Sequence, residues 1–195
     1  KKILEDYESI NRDKNLYMSQ DLYQKAILFA GEKHKNQKLP NTDIPYIVHL
    51  SNVAMEVIMA WSKHKNFDIN TAVQIALLHD VLEDTDTTYE ELEETFGNDV
   101  ATGVLTLTKQ KDLPKEEQMK SSIGDICFYG GYAGTVKLAD RITNLQEPPK
   151  HWTQEKIKAY WVEAKYIYEE LKHHNKYLAQ RLEFKIKEYE RAIRN

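Results

Sequence analysis

The stretch that decides the fold is ALLHDVLEDT, residues 76–85, which sets ionisable side chains inside an apolar helical pattern. Those side chains are His79, Asp80, Glu83 and Asp84. The residues just before them, 72–78, are apolar nearly all round the helix, which predicts a central, buried helix over 71–82. Because residues four apart share a helix face, the four side chains crowd into one sector of that helix.

Burial of these charges requires a compensating group. One unpaired buried charge costs several kcal/mol, or its pKa shifts until the group is neutral. A bound cation would offset that penalty, so we expect this helix to contribute ligands to a metal ion.

Two further apolar helical segments carry residues of the kind that bind metals. In TVKLADRITNL, residues 135–145, Asp140 lies in an apolar setting and Asn144 follows on the same face. In PYIVHL, His49 stands near the start of another apolar helix. A single buried histidine is usually a hydrogen-bonded core residue, but three such helices together favour a metal site. Two imidazoles and two carboxylates suit Mn²⁺, Fe²⁺ or Zn²⁺ rather than Ca²⁺.

Helical periodicity dominates the chain, and no stretch shows the period-two alternation of a half-buried strand. The sequence therefore predicts an all-α helical bundle. The predicted helices cover residues 20–34, 46–63, 71–82, 89–96, 99–109, 115–127, 134–145, 154–172 and 176–194. Thr87 or Thr88 can cap the helix that Gly97 closes, and segments 36–45 and 128–134 are predicted loops.

Length and cysteine content narrow the class of protein. With 195 residues, 41% of them apolar, the chain fits one domain over 1–195 with a sizeable core. We expect the core over about 20–172 and a C-terminal helical appendage over about 173–195. The sole cysteine, Cys127, excludes a disulfide framework and a Cys-rich metal site, which favours a cytoplasmic location.

The charge and the hydropathy of the sequence argue against a protein that binds nucleic acid or spans a membrane. The net charge of −4 argues against a generic nucleic-acid-binding protein. No apolar run approaches the roughly 20 residues that span a bilayer, and the charged start KKILEDYESI, residues 1–10, is unlike a signal peptide. Local candidates for holding phosphates are Lys33, Lys35, Lys38, Lys137 and Arg141.

Four motifs together resemble a known family. PYIVH, ALLHDVLEDT, FGNDVATGVLTLTK and VKLADRITNL occur in the order found in the HD-domain hydrolases of the RelA/SpoT type. Within that family the chain is most similar to the stand-alone small alarmone hydrolases, over about residues 22–171. The resemblance implies a helical HD fold and hydrolysis without synthesis.

The resemblance also implies roles for individual residues. The ligands of Mn²⁺, or of another divalent transition metal, would be His49, His79, Asp80 and Asp140. Glu83 and Asp84 would be the catalytic acid–base pair, and Asn144 would contact the substrate beside the metal. Further candidates for substrate contacts are Tyr46, Lys38, Lys137 and Arg141.

The reaction expected from this resemblance is removal of the 3′-pyrophosphate from alarmone nucleotides such as (p)ppGpp. A divalent ion lowers the pKa of bound water from about 15.7 toward 7. One carboxylate would orient or deprotonate that water and the other would protonate the leaving 3′-oxygen, help that typically gives about 10²–10⁴-fold. Their individual roles stay open, because a coupled pair titrates as a unit.

One loop departs from the family pattern. After the HxxQ element, His34 to Gln37, the family continues with an Arg-Lys pair that the resemblance assigns to gripping the guanosine nucleotide. This chain has Leu39 and Pro40 there, with Lys38 the remaining cation. Lysine cannot copy the stacking and forked hydrogen bonding of arginine. The adenosine analogue (p)ppApp, NADPH or another phosphorylated nucleotide is therefore the alternative substrate.

A third hypothesis is a helical binding module that keeps a metal site without turnover, and the intact carboxylate pair argues against it. The oligomeric state stays open. Among the remaining histidines, His34 is expected to be structural or to support a residue of the site, and the expected surface residues are His64, His151, His173 and His174.

Overall fold

The computed structural model describes residues 17–194, and the expectation about the start of the chain, residues 1–10, lies outside that range. The helices are α1 Gln20–Lys33, α2 Ile47–Lys63, α3 Ile69–Leu78, α4 Val81–Asp84, α5 Tyr89–Phe96, α6 Asn98–Leu107, α7 Lys115–Tyr129, α8 Ala133–Asn144, α9 Gln154–Leu171, α10 Lys176–Tyr189 and α11 Arg191–Arg194. Over residues 17–194 the extended structure amounts to one isolated bridge, between Lys38 and Pro45. The prediction of an all-α protein is confirmed.

Side-chain caps set several helix starts. The hydroxyl of Thr88 accepts a hydrogen bond of 3.2 Å from the Glu91 amide at the start of α5, and Asn175 accepts one of 3.0 Å from Leu178 at the start of α10. Such caps satisfy amide groups that have no partner within the helix. Gly97 ends α5 at φ 87°, a left-handed conformation that favours glycine. The predicted limits of α5 are thereby confirmed.

Helix α3 forms the centre of the core, as its apolar pattern predicts. It contacts α1, α2, α6 and α8. Its buried apolar side chains are Ile69, Ala72, Val73, Ile75, Ala76, Leu77 and Leu78. Helix α6 approaches it so closely that a Cβ at Gly103 would overlap the Ile75 side chain. This close packing fixes the end of α3, where the functional groups lie.

The predicted helix over 71–82 is wrong in one respect, because the structure interrupts it. Helix α3 ends at Leu78, and α4 begins at Val81. Between them Nδ1 of His79 donates a hydrogen bond of 2.8 Å to the carbonyl oxygen of Ala76. A side chain that bonds to a nearby backbone carbonyl competes with the hydrogen bonds of the helix. The interruption lies at the two residues expected to bind metal, His79 and Asp80.

Other boundaries shift by a few residues. Helix α6 ends at Leu107 rather than 109, so Lys109 lies in a loop. Helix α7 continues to Tyr129, and the predicted loop 128–134 shrinks to a turn around Gly130 and Gly131, both at positive φ.

The C-terminal helices share the core of the rest of the chain. Buried side chains of α9 and α10, Ile167 and Leu182 among them, belong to the same apolar cluster as α3. Arg181 on α10 donates through Nε and Nη2 to the buried carboxylate of Glu56 on α2, at 2.6–2.8 Å. His174 is half-buried against Gly134, which corrects the expectation of a surface residue. The division into a core and an appendage remains a prediction.

No helix within residues 17–194 combines the length and the apolar composition needed to cross a bilayer.

Candidate active site

Three parts of the core bring their ligand-type residues to one point. His49 lies in the first turn of α2, His79 lies just after α3, and Asp140 lies on α8. All three are buried, and one candidate ligand atom from each lies within 4.8 Å of the others. Asp80 adjoins them, with Oδ2 3.0 Å from Nε2 of His79 and 3.8 Å from Nε2 of His49. The four residues expected from the sequence are therefore neighbours.

The ring nitrogens face these carboxylates without hydrogen bonding to them. Nε2 of His49 lies 3.4 Å from Oδ1 of Asp140, yet among residues 17–194 neither this atom nor Nε2 of His79 has a hydrogen-bond partner. A carbonyl can only accept, so Nδ1 of His79 carries the proton that bonds to Ala76. In the neutral ring this leaves the Nε2 lone pair directed toward the cluster. Orphaned nitrogens among buried carboxylates fit a divalent transition metal.

The electrostatics show what balances the charge when no cation is bound. Burial alone would lower the pKa of His79, but Asp80 and Asp140 outweigh it and raise that pKa to about 10. Burial opposes ionisation of both carboxyls, yet His79 holds the pKa of Asp80 well below its ordinary value. Lys137 and the two histidines hold the pKa of Asp140 low in the same way. A metal ion would therefore displace a proton from this cluster.

Three expected substrate contacts hydrogen-bond to the ligand carboxylates in this structure. The Tyr46 hydroxyl donates to Oδ2 of Asp80 at 2.6 Å, and Lys137 donates to Oδ2 of Asp140 at 3.1 Å. Asn144 donates to the other oxygen of Asp140. Lys137 is buried, and its ammonium supports the carboxylate of Asp140. Contact of these three side chains with a substrate stays a prediction.

Arg141 also has partners within the protein. It is 4% exposed, its guanidinium lies 4.6 Å above the Tyr160 ring, and Nη2 donates to Glu163. These contacts join α8 to α9, while within residues 17–194 Nε and Nη1 of Arg141 have no hydrogen-bond partner. Its expected role in holding phosphate stays a prediction.

The two carboxylates expected to act on water have different environments. Glu83 accepts hydrogen bonds from the Lys109 amide at 3.3 Å and from its ammonium at 3.1 Å, and its carbonyl accepts from Lys111. Asp84 is exposed and accepts from Nε2 of Gln37 at 3.0 Å. One carboxylate thus faces a cation and the other a neutral amide.

The expected basic patch is internally paired. Nζ of Lys38 lies 2.6 Å from Asp43 within a loop that the hydrogen bond from the Leu39 amide to the Ile44 carbonyl closes at 2.8 Å. The other pairs are Lys33 with Asp86 and Glu91, and Lys35 with Glu32. Exposed pairs of this kind contribute about 0–1 kcal/mol, so Lys38 can exchange Asp43 for another anion.

Comparison with known proteins identifies the family. The model of the family described as “HD domain” matches residues 26–125. The guanosine-3′,5′-bis(diphosphate) 3′-pyrophosphohydrolase MESH1 of Danio rerio is 34% identical over 163 residues, 81% of this chain and 88% of the relative. MESH1 of Xenopus tropicalis is 36% identical over 85% of this chain and 94% of the relative. The chain belongs to the HD-domain hydrolases of the RelA/SpoT type.

A solved structure shares the fold of this HD-domain hydrolase. It is described as “A metazoan ortholog of SpoT hydrolyzes ppGpp and plays a role in starvation responses”. The TM-score is 0.76 at 31% identity, and the match covers 88% of this chain and 97% of the other.

Two partners in this HD-domain hydrolase were not foreseen from its sequence. Lys109 ends the motif FGNDVATGVLTLTK, and Gln37 ends the HxxQ element, so both lay in recognised motifs without an assigned role. Their relation to Glu83 and Asp84 depends on contacts across 26 and 47 residues of sequence. The motif positions were the only available signal.

Proposed function

We propose that this chain is a metal-dependent hydrolase that removes the 3′-pyrophosphate from alarmone nucleotides of the (p)ppGpp type. The observation that carries the proposal is the convergence of His49, His79, Asp80 and Asp140 beside two further carboxylates. The names of the MESH1 relatives, which are 3′-pyrophosphohydrolases of guanosine-3′,5′-bis(diphosphate), support the choice of substrate.

We propose Mn²⁺ as the metal, held by the two Nε2 atoms and by the carboxylates of Asp80 and Asp140. Two imidazoles and two carboxylates form a donor set that suits Mn²⁺, and another divalent transition metal could use the same atoms. When bound, such a cation supplies Lewis acidity and lowers the pKa of a nearby water toward neutrality.

The carboxylates of Glu83 and Asp84, next to the candidate metal ligands, would transfer the protons of the reaction. One of Glu83 and Asp84 takes a proton from the attacking water, and the other gives a proton to the ribose 3′-oxygen as its bond to phosphorus breaks. The products are pyrophosphate and a nucleotide with a free 3′-hydroxyl. Lys109 and Lys111, which contact Glu83, would supply positive charge to offset the negative charge of the pyrophosphate.

A second substrate class is favoured by one observation on the loop 36–45. It offers Leu39 and Pro40 where the resemblance leads us to expect an Arg-Lys pair, and its lysine is paired with Asp43. A base that needs no guanidinium partner would be tolerated there. We therefore keep (p)ppApp, NADPH or another phosphorylated nucleotide as the alternative substrate.

The test is a substrate panel with purified protein. (p)ppGpp, (p)ppApp and NADPH are each incubated with Mn²⁺, with other divalent ions, and with a chelator, and both pyrophosphate and inorganic phosphate are measured. We expect metal-dependent pyrophosphate release from an alarmone. Release of inorganic phosphate instead would favour the alternative class.

Matched variants separate catalysis from binding. Glu83→Gln and Asp84→Asn should abolish turnover while nucleotide binding persists, and Asp140→Asn should also lose metal. If the parent protein binds nucleotide but releases neither product with any metal, the hydrolase proposal fails and a binding module remains.

We further propose a cytoplasmic location, supported by a cysteine content that offers no internal disulfide. The partner proposed here is a small nucleotide rather than nucleic acid, in keeping with the acidic net charge.

A further inference from the structure

A line of three side chains runs from the end of α1 to one of the two flanking carboxylates. Nδ1 of His34 lies 2.6 Å from Oε1 of Gln37, and Nε2 of Gln37 lies 3.0 Å from Oδ2 of Asp84. His34 is 3% exposed, whereas Asp84 faces solvent. The line therefore connects the protein interior to the exposed carboxylate.

The chemistry of the groups fixes the direction of both hydrogen bonds. An ionised carboxylate only accepts, so the Gln37 amide nitrogen must be the atom that faces Asp84. Its oxygen then faces His34 and can only accept, so Nδ1 of His34 carries the proton and donates. Within the described part of the chain, residues 17–194, the buried Nε2 of His34 has no hydrogen-bond partner, so the ring makes its one hydrogen bond there to Gln37.

The backbone holds Gln37 from two sides as well. Its amide donates to the His34 carbonyl at 2.9 Å, and its carbonyl accepts from the Tyr46 amide at 3.0 Å. The side chain of Tyr46 in turn donates to Asp80. One segment of chain thus supplies a donor to a candidate metal ligand and a donor to a candidate acid–base group.

Asp84 is in need of such support. It ends α4, a helix of four residues, and an exposed carboxylate at such a position has several rotamers open to it. Glu83 is already held by both donors of Lys109. Misplacement of a reacting group by about 1 Å can cost about 10²-fold in rate.

We propose that Gln37 is a positioning residue for Asp84 and that His34 fixes the orientation of Gln37. The inference rests on the proposed function, because it assigns Asp84 a part in the reaction. Gln37 holds one rotamer of the carboxylate, without contact to the reacting atoms. Loss of the amide should lower kcat about tenfold or more and leave KM within about twofold.

The experiment compares Gln37→Met, which keeps the length and removes the donor, with two substitutions of His34. His34→Asn retains an N–H that can reach the Gln37 oxygen and should stay close to the parent, whereas His34→Leu should behave like Gln37→Met. The matched control is Gln118→Met, since Nε2 of Gln118 donates to the Leu113 carbonyl at 3.0 Å away from the site. Each protein is assayed for kcat and KM and for its unfolding midpoint.

A second readout needs no activity. The side-chain carboxyl ¹³C signal of Asp84 is recorded in the metal-free parent and in Gln37→Met, where loss of the 3.0 Å hydrogen bond from Gln37 should shift that signal. The proposal requires both the fall in kcat and this shift, and the absence of either overturns it. A rise in KM at unchanged kcat also overturns it, because Gln37 would then be a substrate contact. If the parent turns over no nucleotide, the proposed function fails and the ¹³C comparison alone decides this inference.

Discussion

The hydroxyl of Tyr46 donates a hydrogen bond of 2.6 Å to Oδ2 of Asp80, a candidate metal ligand. Burial, together with the charge of Asp80, raises the pKa of Tyr46, so the hydroxyl keeps the proton that it donates. Groups that orient ligands in this way typically contribute about 10–100-fold to metal affinity.

Tyr46→Phe should therefore weaken Mn²⁺ binding by about 10–100-fold, measured by calorimetric titration. Tyr89→Phe is the matched control, because the Tyr89 hydroxyl donates to Asn98 at 3.0 Å and not to a candidate ligand. Equal affinity in both variants would show that the hydroxyl does not support the ligand.

Metal binding should release a proton. The His79 ring has a pKa of about 10 without metal, so it is protonated at neutral pH, and the metal needs the nitrogen lone pair. At about pH 7.5 we expect release of about one proton per metal, and affinity that rises about tenfold per pH unit below that pKa. Calorimetry in buffers of different ionisation enthalpy measures the release. A binding enthalpy independent of buffer would contradict it.

Lys109→Met should lower kcat by about tenfold or more. Burial alone would lower the pKa of Lys109, but Glu83 raises it, so the ammonium is charged and holds this carboxylate in one orientation. Lys109→Arg should restore part of the activity. Lys187→Met, which removes an exposed pair with Glu183, is the control and should match the parent. If Lys109→Met keeps the kcat of the parent protein, Lys109 takes no part in the reaction.

Substitution of Lys38 and substitution of Asp43, which form an exposed ion pair in the loop 36–45, should change KM in opposite directions. Lys38→Gln should raise KM, and Asp43→Asn, which frees the ammonium now 2.6 Å away, should lower KM. Each change should be a few-fold, about the scale of an exposed ion pair, with kcat unchanged. Identical KM values across the parent and both variants would remove Lys38 from the substrate contacts.

Arg181→Leu should destabilise the protein by about 2 kcal/mol, because the buried carboxylate of Glu56 loses a charged, two-pronged partner. Urea unfolding measures the change. Glu183→Gln removes an exposed pair on the same helix and should cost no more than about 0.5 kcal/mol. Similar losses in the two variants would mean that the buried pair contributes no more than a surface one.

Much of the fold could be predicted because its causes are local. The limits of α5 follow from Thr88 and Gly97, and the burial of α3 follows from its apolar pattern. The grouping of His49, His79 and Asp140 could be anticipated because each is a polar residue on, or directly after, an apolar helix that must be buried.

The rest depends on contacts that sequence spacing does not specify. The helix is interrupted after Leu78, where the His79 ring hydrogen-bonds to a backbone carbonyl. Hydrophobic periodicity does not reveal such a hydrogen bond. Lys137 and Arg141 both carry charge near Asp140, and sequence spacing does not show that the packing of α8 directs one onto that carboxylate and the other onto Tyr160.

The pair between Glu56 and Arg181 also bears on how the chain is made. The two residues are 125 positions apart in the sequence. Because synthesis proceeds from the N-terminus, Glu56 is made and leaves the ribosome before Arg181 has been added to the chain. His49, His79 and Asp140 all precede Arg181 in the chain. The nascent protein therefore contains all its candidate metal ligands before α10 can pack against α2. We expect the site to become rigid only in the last stage of folding, after α10 has docked.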